Sequence, residues 1–139
     1  IDDQAKDLAV EISNQVLENY KEEEQAKEEE QVQEYMNNME DFFSNAVNLY
    51  SEEFDIKADV SEQLHLIIEQ GFEKQRNLYQ QKSNGDFTEE EYEKFRHESR
   101  MEGRQAVREL LGEDGSRDFG KILREEGRRT REEKFNSSE

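Results

Sequence analysis

Apolar residues recur every three or four positions over most of this chain, which is the spacing of a helix with one buried face. Neither proline nor glycine interrupts the pattern over residues 3–53, so we predict one long helix there. A second helix is predicted over 61–82 and a third over 88–111, where Gly112 ends it. A short last helix opens near Ser116. The predicted class is all-α: a long N-terminal helix, a helical hairpin and a short C-terminal helix, in an elongated arrangement.

Local signals mark both ends of the second predicted helix. Asp59 or Ser61 can accept the free N–H groups of its first turn. At the other end, "KSNG" brings Gly85 to the position where a left-handed residue closes a helix.

The start of the third helix carries a more specific signal. In "FTEEEY", Thr88 and Glu91 have the spacing of a capping box, in which each side chain bonds the backbone N–H of the other residue. Phe87 precedes the cap, and we expect it to contact Tyr92 as a hydrophobic staple.

The pattern divides the chain into three parts. Residues 1–31 are predicted to be a protruding acidic helix or coiled-coil segment, residues 32–126 a helical core, and residues 127–139 a charged tail. The tail has too little apolar surface to stay ordered alone.

The first part carries an apolar stripe for which the rest of the chain offers no apolar partner. We expect this stripe to bind protein, and a second copy is the available partner, so the sequence predicts a homodimer. The acidic stretch 21–31 would repel itself in a tight parallel pair, which favours an antiparallel or splayed arrangement. The stripe consists of Leu8, Ile12, Val16, Leu17 and Tyr20.

The strong negative charge of the chain argues against anionic partners. The formal net charge is −18, and residues 1–60 alone hold 18 acidic and 4 basic side chains. Such a surface repels nucleic acid and anionic membranes. No apolar run approaches the roughly 18 residues that span a membrane, so we predict no membrane insertion by this segment. The chain begins at Ile1 rather than Met, so we expect that something upstream was removed: a signal peptide, an N-terminal membrane anchor or simply the rest of a longer chain. Either of the first two would put the domain outside the cytoplasm.

Four arginines stand out against this acidic background, four residues apart along the third helix. Like charges at this spacing cost about 0.2–0.5 kcal/mol per pair, so an outside partner is expected. A phosphate or carboxylate ligand is one candidate, because the guanidinium fork suits both. We favour the seven glutamates between Glu22 and Glu34, in the same molecule or in a second copy, as an electrostatic zipper. The ladder consists of Arg96, Arg100, Arg104 and Arg108.

The sequence contains few of the motifs that bind metals or carry out catalysis. The stretch from Gln80 to Glu91 imitates half of a calcium-binding loop, but Lys82 stands where a ligand is needed. Neither His65 nor His97 has a second histidine at metal-binding spacing. Cysteine, a phosphate-binding glycine loop and a nucleophile elbow are all missing from the sequence. We therefore predict a protein that is not an enzyme and holds no metal or cofactor.

Two short stretches resemble the Leu-Thr-x-x-Gln motif of the LTxxQ family of periplasmic helical proteins, which includes stress chaperones and their metal-responsive relatives. They are "VSEQL" at 60–64 and "FTEEE" at 87–91, within a likeness that covers about residues 40–125. The resemblance implies a periplasmic or other extracytoplasmic location and a dimeric helical shape.

The sequence therefore predicts a non-enzymatic, extracytoplasmic helical module that binds protein, either chaperone-like or sensor-like. One alternative is a coiled-coil scaffold or adaptor subunit of a larger assembly. Another is an acidic domain that responds to a metal or to calcium.

Overall fold

Three α-helices make up the part of the chain that the computed structural model describes, residues 3–137. They are α1 (Asp3–Glu53), α2 (Ala58–Ser83) and α3 (Glu89–Ser137), and no strand forms within these residues. The all-α class and the long N-terminal helix are confirmed. The predicted bounds of that helix, 3–53, are the observed ones.

The chain divides into two structural units. The N-terminal unit ends at Tyr35 and is helical throughout its described residues, whereas the C-terminal unit begins at Met36. The C-terminal unit contains the rest of α1 together with α2 and α3.

A left-handed residue ends α1. Asp55 has a φ of 51°, and the N–H of Ile56 after it bonds the carbonyl of Ser51 at 3.0 Å. This wide hydrogen-bonded ring is the one that terminates a helix in the Schellman motif. Ile56 then packs against the core, which is the apolar contact that accompanies such a cap.

The start of α2 differs from the prediction. The helix begins at Ala58, and Lys57 stands at the N-cap without a side-chain capping bond. Asp59 and Ser61, the predicted caps, therefore lie inside the first turn. The Ser61 hydroxyl instead meets that of Ser51 on α1 at 2.8 Å, so a contact between helices replaces the local one.

The end of α2 follows the prediction. Gly85 adopts a φ of 84°, and its N–H bonds the carbonyl of Lys82 at 3.0 Å. The N–H of Asp86 reaches the carbonyl of Gln81 at 2.9 Å, which completes a Schellman motif. Glycine suits this position because a positive φ brings it no steric cost.

The capping box of α3 is confirmed. The N–H of Glu91 donates to the Thr88 hydroxyl, and the N–H of Thr88 donates to the Glu91 carboxylate, both at 3.1 Å. Hydrogen bonds from the backbone N–H of Thr88, and from its side chain, to the Glu91 carboxylate lower the pKa of Glu91, because they favour the ionised form.

The expected staple forms with a different residue. Phe87 packs against Phe95, with ring centroids 4.9 Å apart, rather than against Tyr92. Tyr92 is buried and meets the ring of Tyr79 on α2 at 6.5 Å. The Tyr92 ring therefore packs against α2 and does not form the predicted staple with Phe87.

Gly112 breaks α3 into a first segment, 89–111, and a second segment, 113–137. Its φ of 78° and ψ of 175° are not helical, which agrees with the predicted end of the third helix. Glycine adopts this conformation without the clash that a Cβ would cause. The second segment begins directly after Gly112 rather than near Ser116.

The second segment is longer than the short helix that the pattern predicted, and it includes residues 127–137 of the predicted tail. Arg129 holds it by hydrogen bonds and ion pairs to Glu126 and Glu133, one turn away on either side. The Cα of Gly127 passes so close to Phe42 of α1 that a Cβ there would lie 3.8 Å from the ring. Charged pairs and this packing compensate for the few apolar residues.

The core of the C-terminal unit joins all its helical segments. Its partly buried margin comprises Ile56, Ile68, Val107, Leu110, Leu111 and Leu123. Its buried centre comprises Ala46, Val47, Tyr50, Leu64, Phe119 and Ile122. Phe119 and Ile122 come from the last predicted helix, so that helix completes the core even though its sequence suggested little apolar surface.

Candidate protein-binding surfaces

The predicted apolar stripe is exposed in the N-terminal unit. Its five side chains retain between 54% and 61% of their accessible surface. Leu8, Ile12, Val16 and Tyr20 succeed one another at intervals of four, so they follow one side of α1 for about three turns. Leu17 lies beside them. Aliphatic surface arranged in this way gains free energy when a second apolar surface covers it.

The acidic stretch 21–31 follows the stripe on the same helix. Most of its residues are exposed. Lys27 lies 4.0 Å from Glu24, and the Gln25 amide approaches Glu29 at 3.4 Å. These weak local contacts leave the stretch strongly anionic.

The arginine ladder lies in the C-terminal unit, on the first segment of α3. Arg96 is half-buried and approaches Glu93 at 3.5 Å, whereas Arg100, Arg104 and Arg108 are exposed. Among the described residues, Arg96 is the one ladder arginine with an ion pair. The zipper with the glutamates at 22–34 stays a prediction.

An arginine outside the ladder joins α1 to α2, and no pattern in the sequence indicates this contact. Both terminal nitrogens of Arg76 donate hydrogen bonds to the carboxylate of Glu40, at 3.3 and 3.1 Å. One of them also donates to the side-chain oxygen of Asn37 at 2.9 Å. The pair is partly shielded from water, which strengthens it relative to an exposed pair. Because the partners are far apart in sequence, no local spacing could have identified them.

Two lysines perform a similar role between α2 and α3. Lys74 pairs with Glu102 at 2.6 Å, and Lys82 pairs with Glu89 at 2.9 Å. Lys82 also lies 4.7 Å from the centre of the Tyr92 ring, a cation–π distance. These ion pairs join α2 to α3 and help to stabilise the hairpin.

The buried polar groups of the C-terminal unit are structural in character. Glu126 is 7% exposed, and the hydrogen bonds from Arg129 lower the pKa of its carboxyl group. Burial raises the pKa of the Tyr50 hydroxyl, and the nearby Asp118 carboxylate raises it further.

The side chains considered for metal binding have other partners. Glu91 belongs to the helix cap, Lys82 to an ion pair, and His65 meets Asn48 at 3.1 Å. Within residues 3–137, no three histidine, aspartate or glutamate side chains are grouped so that they could hold a metal ion. The candidate binding surfaces of the described residues are therefore the apolar stripe and the arginine ladder.

None of the described helices is long and apolar enough to cross a membrane. No protein-family model, curated protein or solved structure matches this chain.

Proposed function

We propose that this protein is a non-enzymatic module that binds other proteins through the sides of its helices. The exposed apolar stripe on α1 is the observation that carries the proposal. Five large apolar side chains, each more than half exposed, lie together on one helix of a protein whose net charge is −18. An apolar cluster of this kind is typical of an interaction surface rather than of a solvated one.

The first partner that we propose is a second copy of the chain. Two α1 helices can bury both stripes against each other, as the helices of a coiled coil do. The stretch 21–31 would meet its own charge in a parallel pair, so the helices run antiparallel or diverge beyond Tyr20.

We place this module in the periplasm or another extracytoplasmic compartment, with a chaperone-like or sensor-like role. The support is the resemblance of residues 60–64 and 87–91 to the motif of the LTxxQ family. Fractionation of the native cells, with the protein carrying a C-terminal tag, tests the location: recovery with the cytosol contradicts it.

Sedimentation equilibrium tests the dimer. We expect the wild-type chain to be dimeric at micromolar concentration and Val16→Glu to be largely monomeric, because the new carboxylate would have to be buried in the interface. Leu66→Glu is the matched control, since Leu66 is likewise an exposed aliphatic residue, 50% accessible, but lies on α2. This control is expected to remain dimeric. A monomeric wild-type chain contradicts the homodimer, and so does equal dissociation of both variants.

A client assay tests the chaperone-like role. The wild-type chain is expected to reduce the light scattering of a chemically unfolded protein as it aggregates, and Val16→Glu to do so less well than Leu66→Glu. Equal protection by both variants would show that the stripe does not bind clients.

A further inference from the structure

The solvent-facing side of the first segment of α3 is a cationic surface on an acidic protein. Arg100, Arg104 and Arg108 are exposed there, and His97 and Met101 lie between them along the helix. The intervals from His97 to Met101, Arg104 and Arg108 are four, three and four residues, so these side chains share one face. We call Arg100, Met101, Arg104 and Arg108, with His97, the arginine face.

Among the described residues, no ion pair joins Arg100, Arg104 or Arg108 to a carboxylate. Glu98, Glu102 and Glu109 lie on one flank of the helix, where Lys74 of α2 engages Glu102 at 2.6 Å. Glu93 approaches Arg96 at 3.5 Å, and Glu113 lines the same open depression as Arg108. The exposed arginines therefore repel one another at four-residue spacing, and this repulsion is relieved when an anionic partner binds.

The net charge of −18 does not prevent such binding. At physiological ionic strength the Debye length is about 8 Å, so an approaching group senses the charges close to it and little of the rest. The arginine face consequently acts as a local cationic site.

Met101 restricts the kind of partner. It remains 48% exposed in the middle of the face, flanked by arginines on the same side of the helix. A small anion would leave this thioether in water, whereas an acidic helix with a small apolar residue among its carboxylates would cover it. The complement is therefore a polypeptide segment.

We propose that the arginine face binds the acidic segment 22–34 of a second copy of this chain. Residues 22–34 include seven glutamates and one lysine. Within the first ten of these positions, Ala26 is the single apolar residue. Glu22, Ala26 and Glu29 repeat the four-and-three spacing of His97, Met101 and Arg104. A parallel register thus sets Ala26 against Met101 and Glu29 against Arg104. The contact is separate from the apolar stripe and does not depend on it.

Fluorescence anisotropy with a labelled peptide of residues 21–35 tests this proposal against the full-length chain. The peptide omits the apolar stripe, so its binding is independent of the dimer proposed above. The receptors are the wild-type chain, Arg100→Glu/Arg104→Glu, and the control Arg124→Glu/Arg128→Glu. The control reverses two exposed arginines at the same spacing on the second segment of α3.

We expect the wild-type chain and the control to bind the peptide equally, and Arg100→Glu/Arg104→Glu to bind it about tenfold more weakly. The double reversal turns the attraction between Arg104 and Glu29 into repulsion and adds a second negative charge at position 100, beside the acidic segment, and each exposed charge contributes a modest amount. A peptide carrying Glu22→Lys and Glu29→Lys should show the opposite preference. Raising the salt concentration should weaken the wild-type interaction.

Three results would overturn the proposal. One is the absence of peptide binding to the wild-type chain. Another is an equal loss of peptide affinity in the two double arginine variants, because the binding would then depend only on the net charge of the chain. The third is a reversed-charge peptide that binds all three receptors alike.

Discussion

The rings of Tyr50 and Phe119 meet edge to face, with their centroids 5.4 Å apart and their planes at 63°. One belongs to α1 and the other to the second segment of α3, and both are buried. This contact joins the beginning and the end of the C-terminal unit.

The pair predicts a large loss of stability when its second ring is removed. Phe119→Ala leaves a cavity beside Tyr50 and is expected to lower the free energy of unfolding by about 3–5 kcal/mol. Phe135→Ala is the matched control on the same helix, because Phe135 is 67% exposed, and it should change stability by less than about 0.5 kcal/mol. Urea denaturation followed by circular dichroism measures both, and similar losses would contradict the assignment of Phe119 to the core.

Two glycines of the second segment should respond to alanine in opposite ways. A Cβ at Gly115 would lie 2.9 Å from the Cβ of Leu111 and 3.2 Å from the Tyr50 hydroxyl, so Gly115→Ala forces a rearrangement. We expect a loss of about 1–3 kcal/mol. At Gly120 the nearest atom is the mobile end of Arg124 at 3.5 Å, and alanine should stabilise the helix by about 0.5–1 kcal/mol. Melting temperatures that shift in the same direction would refute this contrast.

The capping box makes a prediction about pH. Hydrogen bonds with Thr88 lower the pKa of Glu91 in the folded chain below its ordinary value of 4.5. The stabilisation by the ionised carboxylate is therefore present above pH 4.5 and is lost as the pH falls through the lower, folded value. The wild-type chain should exceed Glu91→Ala in stability at neutral pH, and the difference should shrink on acidification.

Two controls accompany that measurement. Glu90→Ala removes a carboxylate from the same turn but no capping bond, so its effect should be smaller than that of Glu91→Ala. In Thr88→Ala, an NMR titration should find the pKa of Glu91 closer to 4.5. The backbone N–H of residue 88 remains in this variant, so an unchanged pKa would show that the Thr88 hydroxyl does not stabilise the carboxylate.

Asp55 offers a stabilising substitution. Its φ of 51° places a residue with a Cβ in the left-handed region that ends α1. Asp55→Gly should relieve this strain and raise the free energy of unfolding by about 0.5–1 kcal/mol. Asp59→Gly, inside the first turn of α2, is expected to lower it instead, because glycine weakens a helix interior. Differential scanning calorimetry compares the two, and a loss of stability in both contradicts the strain at Asp55.

Features with a local cause could be predicted from the sequence. The bounds of α1, the closure at Gly85, the break at Gly112 and the box formed by Thr88 and Glu91 each depend on residues within a few positions. Helical spacing also places apolar residues such as Leu64 and Tyr92 on one face of their helices, and both are buried.

Features that depend on distant partners could not be predicted in this way. Local signals predict Asp59 or Ser61 as the cap of α2, but neither caps it, and Ser51 of α1 is the hydrogen-bond partner of Ser61. Tyr92 was expected to contact Phe87, but the hairpin brings Tyr79 to it. In both cases tertiary packing decided between local alternatives, as it does for helix propensity in general.

The candidate surfaces divide in the same manner. The exposed stripe and the ladder follow from spacing alone, since helical periodicity places Val16 or Arg104 on a face without any knowledge of the fold. The engagement of Arg76 with Glu40 depends on how α1 and α2 pack, and only the structure reveals it.

The contribution of the second segment of α3 to the core has a consequence for biosynthesis. Ribosomes deliver the chain from its N-terminus, so Phe119 and Ile122 are among the last core residues to emerge. Until they do, Val47 and Tyr50 lack the side chains that cover them. The hairpin of α2 and α3 can form early because its contacts are local, but the α1 surface beneath it stays open. The nascent chain therefore carries an exposed apolar surface until the second segment of α3 has emerged, and the C-terminal unit reaches its native state only after that.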